Sequence, residues 1–205
     1  EDTKEGQREK QFQSWKEAKG TEVKIGEEGE EAVTAEVREL YLRLIFAYQE
    51  VIAENPKKPG IIPGIYHKIL LKEENTRPCR ERVRCGAPAE EKIKEEEIQM
   101  LLKNDIVEEC NSEWSSNLVV VRKKDGTPRT CVDLRRVNIA TRFDCFPLAR
   151  IDESLDALGG AKYMSTLDNS SAFWSILLHP DDRDKTAFGT RSHGQLRFKR
   201  MPFGL

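Results

Sequence analysis

The sequence is poor in the residues that build metal and disulfide frameworks. Its 205 residues include three histidines and five cysteines. No Cys-x-x-Cys pair occurs, and no spacing of cysteines and histidines matches a zinc site. An odd number of cysteines without paired spacing is typical of a reducing compartment and argues against a disulfide scaffold.

Long apolar segments are also missing. Hydrophobic residues make up 38% of the chain and charged residues 34%. No apolar run is long enough to span a membrane, and neither a signal peptide nor an internal repeat is visible. These absences predict an intracellular protein without a membrane partner. The length allows one domain or a domain with appendages.

The formal net charge of -2 hides an uneven distribution of charge. Residues 90–109 carry eight acidic and three basic side chains, whereas residues 122–142 carry seven basic and two acidic side chains. A basic segment beside an acidic one indicates an anion-binding face. A solvated hairpin tip with scattered lysines would give the same count, so composition alone leaves both interpretations open.

Two segments at the start of the chain differ in composition. Residues 1–33 are rich in Glu, Lys, Gln and Gly. Such a segment buries too little apolar surface to offset its ordering entropy, which predicts disorder or a frayed helix. In residues 34–60, Thr34 is a predicted N-cap. The apolar stripe that follows at helical spacing predicts a linker helix, ending near residue 53 and docking onto a core.

Further helix and strand patterns follow along the chain. Pro88 suits the first turn of a helix through about Lys103, and Asn104 is a candidate for a left-handed C-cap. Another helix is predicted from Pro147 to the glycines at 159 and 160. Strands are predicted for residues 66–71, 118–122, 130–134, 163–167, 176–178, 185–190 and 196–201, with an Asp-Gly hairpin turn joining the second and third.

The predicted strand at residues 163–167 ends on an acidic residue, Asp168. The next three residues, Asn-Ser-Ser, are typical of a turn. A carboxylate held at the end of a rigid strand suits a divalent metal with hard oxygen ligands. The commoner role for such a residue is to cap a short helix, here one running through Trp174.

Four motifs occur in order along the second half of the chain: VVVRKKDGTPRTCVDLRRVN at 119–138, DNSSAFWSILL at 168–178, KTAF at 185–188 and RMPFGL at 200–205. Together they resemble the reverse transcriptase of long-terminal-repeat retrotransposons, especially the gypsy-like group and its retroviral relatives. The resemblance runs from about Tyr66 to Leu205, with a weaker extension back to about Val37.

The resemblance implies an α+β fold: the fingers and a partial palm of a right-hand polymerase, with antiparallel strands packed on helices and a helical N-terminal extension. It divides the chain into a first part of the fingers at 61–142, a first part of the palm at 143–175, and a second part of the fingers at 176–205. The implied activity is RNA-directed DNA polymerisation with Mg²⁺, or Mn²⁺ in its place. The implied partners are deoxynucleoside triphosphates, an RNA or DNA template with its primer, and the rest of a Pol polyprotein. The implied location is the cytoplasm, a virus-like particle or the nucleus.

The same resemblance implies roles for individual residues. Asp168 is the first of three metal-binding aspartates, and the Tyr-x-Asp-Asp turn that supplies the other two does not occur in this sequence. Lys123 and Arg129 contact the triphosphate. Phe173 lies beneath the sugar and excludes a ribose 2′-hydroxyl, while Phe203 lines the nucleotide site. Weaker template–primer contacts are implied for Lys124, Arg135 and Arg136.

Some features leave other interpretations open. Asp181, Asp182 and Asp184 follow a His-Pro pair and are predicted to be spacers in an exposed turn. The chain departs from the gypsy-like pattern at Glu113, Asn117, Asn169, Ala172 and Ser175. A non-catalytic nucleic-acid-binding remnant would use only the basic residues of 122–142, and a structural fragment would use the charged tail and the 34–53 helix.

Overall fold

The computed structural model describes residues 4–19, 34–49, 55, 57–122, 124, 126–161, 166 and 168–205. The chain forms two compact units, Glu1–Glu54 and Asn55–Leu205. No helix of these described ranges is long and apolar enough to cross a membrane.

The first unit is a pair of helices, α1 (Lys4–Lys19) and α2 (Ala35–Ala47). Phe12 is buried, and its ring meets the ring of Phe46 edge-on with centroids 5.5 Å apart. Arg43 donates hydrogen bonds to both carboxylate oxygens of Glu9, at 2.8 and 2.9 Å. These bonds lower the pKa of Glu9 to about 2.

Residues 1–33 were predicted to be disordered or a frayed helix, and the structure shows a helix over Lys4–Lys19, while residues 20–33 lie outside the described residues. The segment has few apolar residues, but its two aromatic side chains, Phe12 and Trp15, pack against Phe46 of the partner helix α2. The predicted N-cap of α2 is confirmed, since the Thr34 hydroxyl accepts a hydrogen bond from the Val37 amide at 3.4 Å. The predicted helix end near residue 53 lies outside the described residues.

The face of α2 that was predicted to dock onto a core is exposed in the described residues. The residue of α2 that is buried is Leu42. The exposed apolar side chains follow helical spacing and are Val37, Leu40, Tyr41, Leu44 and Tyr48.

The second unit is built on a five-stranded sheet of order β2-β7-β6-β3-β4. Its strands are β2 (Val107–Glu109), β3 (Ser116–Arg122), β4 (Pro128–Val132), β6 (Phe188–Gly189) and β7 (Gln195–Phe198). The pairs are antiparallel except for β3 with β6, so the sheet is mixed and not purely antiparallel. A second, parallel pair joins β1 (Tyr66–His67) to β5 (Leu177–Leu178).

Helices complete this unit. They are α3 (Pro88–Lys103), α4 (Arg135–Ala140) and α5 (Ile151–Ala157), with 3₁₀ helices at Ala172–Ser175 and Pro180–Thr186. The core lies between α3, α4 and the sheet, and its fully buried side chains include Ile106, Leu134, Val137, Phe188 and Leu196. The bounds of α3 match the prediction, and the β3–β4 hairpin is confirmed.

Several local predictions are corrected. The strand predicted for 66–71 is only two residues long, and Leu71 instead bridges Thr141. Asn104 has φ -92°, and the left-handed residue at the end of α3 is Asp105, with φ 55°. The helix α5 begins at Ile151, later than expected. The strand predicted for 163–167 lies outside the described residues, apart from Thr166.

The acidic turn after β5 is also corrected. The segment predicted as part of a strand from 185 is a 3₁₀ helix through Thr186. Asp182 is buried there, where its carboxylate accepts from the Ile69 amide at 3.1 Å and pairs with Lys185. Asp184 accepts from Arg197 at 2.7 Å. Both aspartates therefore fasten the turn to its surroundings, although the Asp184 side chain is 48% exposed. Asp181 is exposed, as predicted for this turn.

Candidate nucleotide site

Three residues from separate motifs meet at one end of the sheet. The guanidinium of Arg129, on β4, lies 5.0 Å from the ring centroid of Phe203. The Phe203 ring in turn meets the ring of Phe173 edge-on, with centroids 5.5 Å apart. The resemblance implies that all three residues contact the incoming nucleotide. The fold brings their side chains together, with Phe203 between Arg129 and Phe173.

Phe203 is held by a tight turn. Pro202 is fully buried, and Gly204 has φ +90°, a conformation that side-chain-bearing residues rarely adopt. The Asn138 side chain donates to the Gly204 carbonyl at 2.7 Å, which fixes the turn against α4. The ring of Phe203 also packs edge-on against Trp174, at 5.2 Å.

Phe173 projects from the 3₁₀ turn Ala172–Ser175. Its side chain is 44% exposed, whereas the adjacent Trp174 is 7% exposed. Trp174 therefore fills the core, whereas the Phe173 ring is partly open to solvent. The turn starts after Ser171, whose φ of +50° is uncommon for a residue other than glycine.

Asp168 is exposed and precedes this turn. The residue at the cap position of the turn is Ser171, so the alternative of Asp168 as an adjacent helix cap does not hold. Among the described residues, no group of three or more His, Cys, Asp or Glu side chains could hold a metal ion. Asp168 thus offers one hard oxygen ligand, fewer than the set that a protein-bound divalent metal takes.

The basic residues differ in whether an acid already neutralises them. Arg135 donates two hydrogen bonds to the Asp133 carboxylate, at 2.8 and 2.6 Å, and this contact lowers the pKa of Asp133 to about 2. Arg136 lies 3.9 Å from Glu81. Within the described ranges, no acidic side chain is at ion-pair distance from Arg129, which is exposed and rests on an aromatic ring.

Two basic candidates from the hairpin segment of the sequence remain. Lys124 is exposed, and Lys123 lies outside the described residues. The hairpin register, with Val121 opposite Arg129, places Arg129 near the open end of the hairpin.

A cleft of about 500 Å³ adjoins this site. It runs between α3 and β4, and both Arg129 and Phe203 line it. Glu97 of α3 is half-buried in its wall, and burial raises the pKa of this carboxyl. Helical periodicity alone does not reveal that a polar flank of α3 faces the hairpin.

A buried arginine lies behind the aromatic residues. Arg200 is 6% exposed and donates hydrogen bonds to the backbone carbonyls of Pro59, Gly60 and Trp174. Apart from the position of Arg200 in the RMPFGL motif, no local pattern predicts that its side chain binds these backbone carbonyls.

Comparison with known proteins supports the motif assignment. Residues 121–205 match the family model of the reverse transcriptase (RNA-dependent DNA polymerase). The chain is 44% identical over 115 residues to the retrovirus-related Pol polyprotein from transposon 412 of Drosophila melanogaster, a match that covers 53% of this chain and 9% of that protein. The corresponding polyprotein from transposon gypsy of the same species is 38% identical over 115 residues, covering 53% and 11%.

Solved structures show the same fold. A crystal structure of the prototype foamy virus protease–reverse transcriptase aligns with a TM-score of 0.70 and 21% identity, covering 95% of this chain and 25% of that one. The foamy viral protease–reverse transcriptase in complex with an RNA/DNA hybrid aligns with a TM-score of 0.69 and 24% identity, covering 85% and 23%.

The matched chains are much longer than this one, which spans about a tenth of the curated polyproteins and a quarter of the foamy virus proteins. The ordered motifs, the family match and the fold agree. Residues 121–205 therefore form a reverse transcriptase region, similar to the regions in gypsy-like long-terminal-repeat retrotransposon Pol polyproteins.

Proposed function

We propose that this chain supplies the fingers and the first part of the palm of an RNA-directed DNA polymerase, which adds deoxynucleotides to a primer by metal-assisted phosphoryl transfer. The observation that carries the proposal is the contact line from Arg129 through Phe203 to Phe173. It joins a cation suited to phosphate with an aromatic surface suited to a sugar. The proposed boundaries remain 61–142 and 176–205 for the fingers and 143–175 for the palm.

Arg129 binds the triphosphate of the incoming nucleotide in this proposal. Its planar fork grips two phosphate oxygens at once, which a lysine does not do. In the described part of the chain no acid lies at ion-pair distance from Arg129, and Glu97 interacts with it only from across the cleft. This supports the role, because no ion pair has to break before the phosphate binds. Lys123, six residues before Arg129 in the sequence, supplies a second positive charge in this proposal.

Phe173 selects the sugar. Its exposed ring edge forms a wall, and a ribose 2′-hydroxyl would collide with that wall while a deoxyribose would not. Phe203 supports the ring from the side and offers an apolar face to the nucleotide.

Asp168 contributes one ligand to Mg²⁺, or to Mn²⁺ in its place. The metal neutralises the triphosphate and activates the primer hydroxyl when it is bound. Asp168 is exposed next to the turn that carries Phe173, which fits this role. The other ligands come from the nucleotide and from carboxylates elsewhere in the intact Pol protein.

Lys124, Arg135 and Arg136 contact the template–primer backbone in this proposal. Arg135 and Arg136 already face acids, so we expect each to contribute less than an unpaired cation. The foamy viral protein that binds an RNA/DNA hybrid has a similar fold, which supports nucleic acid as the partner. We place the activity inside the cell, in the cytoplasm, a virus-like particle or the nucleus.

Primer extension with the full-length Pol protein tests the proposal. We expect templated incorporation on an RNA template that requires a divalent metal and is lost in Asp168→Asn. Undiminished incorporation by Asp168→Asn would contradict the role of this carboxylate. Duplex binding without any Asp168-dependent incorporation would favour the non-catalytic nucleic-acid-binding remnant.

A further inference from the structure

Arg200 is a buried cation with no acid at ion-pair distance in the described part of the chain, and only Asp105 attracts it from farther away. One of its terminal nitrogens, Nη1, donates to the carbonyls of Trp174 at 2.8 Å, Pro59 at 2.9 Å and Gly60 at 3.3 Å. Burial lowers its pKa. A buried charge that is satisfied only by backbone carbonyls costs free energy compared with an apolar side chain. The burial of Arg200 is therefore not explained by stability, and its hydrogen bonds indicate a different role.

The bond to the Trp174 carbonyl closes the turn that carries Phe173. The next two carbonyls of this segment have backbone donors: Ser175 accepts from the Ile62 amide and Ile176 from the Met201 amide, each at 2.9 Å. The Trp174 carbonyl relies instead on the Arg200 side chain. In this turn, therefore, a side chain hydrogen-bonds the Trp174 carbonyl, whereas backbone amides hydrogen-bond the next two carbonyls.

Arg200 also lies close in sequence to the second aromatic residue. Its own backbone bridges Leu177, and Phe203 follows three residues later in the same segment. One side chain thereby connects the segment that carries Phe203 to the turn that carries Phe173. The two rings touch only by an edge contact, and Phe173 is nearly half exposed. Ring packing alone therefore leaves Phe173 weakly fixed.

We propose that Arg200 is a positioning residue for sugar selection: it holds Phe173 against Phe203 at the distance that excludes a ribose 2′-hydroxyl. The inference rests on the proposed polymerase function and adds a determinant that touches neither nucleotide nor metal. A displacement of about 1 Å at such a wall changes reaction rates by about two orders of magnitude in well-aligned sites. The rigidity of the turn therefore decides how well the wall discriminates.

The first experiment measures the ratio of deoxynucleotide to ribonucleotide incorporation efficiency in the full-length Pol protein. Arg200→Met keeps the length of the side chain and removes the hydrogen bonds. We expect the ratio to fall about tenfold, equivalent to about 1.4 kcal/mol. Arg200→Lys retains a donor and should recover part of the ratio. Primer–template affinity should not change.

Arg183→Met is the matched control. Arg183 is another largely buried arginine of the same unit, and it pairs with Glu108. Both substitutions remove a largely buried guanidinium, but only Arg200→Met should alter the ratio. If Arg200→Met lowers both incorporation rates equally and leaves the ratio unchanged, Arg200 serves stability alone and the inference is wrong.

A second experiment does not depend on activity and uses the 205-residue chain. The Ile176 amide donates to the Phe173 carbonyl and reports on the turn, while the Phe198 amide donates to the Thr186 hydroxyl and reports on the sheet. We expect Arg200→Met to speed hydrogen exchange at Ile176 at least fivefold more than at Phe198. Equal acceleration at both amides would overturn the inference. If the wild-type Pol protein shows no Asp168-dependent incorporation, the proposed function is refuted. The exchange experiment still tests whether Arg200 positions the turn.

Discussion

Replacing Arg129 should weaken nucleotide use far more than nucleic-acid binding. Arg129 has no acidic partner in the described residues and rests on Phe203 with its guanidinium 5.0 Å from the ring centroid. Its removal costs one charge-assisted phosphate contact, about 2 to 3 kcal/mol. That free energy corresponds to a decrease in kcat/KM for the nucleotide of about 30- to 150-fold. Duplex affinity should fall little, because non-specific binding is spread over many phosphates.

Arg129→Lys separates charge from geometry. The lysine keeps the positive charge but loses the planar fork, so we expect it to restore only part of the nucleotide affinity. It also loses much of the contact with the Phe203 ring, which is worth about 0.5 to 1 kcal/mol at an exposed site. A full recovery by lysine would mean that charge alone is needed at this position.

The assay compares single-nucleotide incorporation with duplex binding at several salt concentrations, using the full-length Pol protein. Lys124→Ala is the control, since it removes one positive charge from the same hairpin. It should lower the salt slope of duplex binding by about 1 and leave nucleotide use nearly unchanged. If Arg129→Ala behaves like Lys124→Ala, then Arg129 contacts the template backbone and our assignment is wrong.

Three further predictions follow from the site and the helix pair. Phe173→Ala should admit ribonucleotides by removing a wall that is worth on the order of a few kcal/mol, measured as the ratio of the two incorporation efficiencies; an unchanged ratio would leave Phe173 as a packing residue only. The isolated 205-residue chain should not extend a primer with Mg²⁺ or Mn²⁺, since its described residues offer no carboxylate cluster, and incorporation above an Asp168→Asn control would contradict this. The Glu9–Arg43 pair holds the pKa of Glu9 at about 2 against its ordinary value of 4.5, so its stabilisation of the helix pair is present above pH 4.5 and is lost as the pH falls through about 2. Thermal unfolding followed by circular dichroism should show a difference between the wild type and Arg43→Met that shrinks over this interval, and a constant difference would refute the linkage.

The sequence predicts those helices and strands whose ends are marked by proline, glycine or a turn motif. Pro88 begins α3 where expected, and the Asp-Gly turn marks the β3–β4 hairpin. Both features depend on residues within a few positions of each other, so a reading along the chain finds them. The motifs likewise contain Arg129, Phe173 and Phe203, whose side chains the fold brings into contact.

Features that depend on distant partners could not be predicted. The helix α1 is polar by composition, and its stability comes from a ring and an arginine on α2. Asp182 looked like a surface turn residue, yet its carboxylate accepts from Ile69, more than a hundred residues earlier. Arg200 is similar, since its acceptors near residue 60 have no sequence signature. In each case tertiary contacts overrode the local composition.

The strand order of the large sheet has a consequence for synthesis on the ribosome. β2 pairs with β7, which is made about 90 residues later, and β6 must come between β7 and β3. The β3–β4 hairpin therefore emerges before its neighbour β6, Phe188–Gly189, and β2 stays unpaired until the residues around Phe198 have left the exit tunnel. Unpaired edges of this kind recruit other strands, and contacts at long sequence separation form slowly. Translation speed between β4 and β7 should thus govern how much of the nascent protein aggregates.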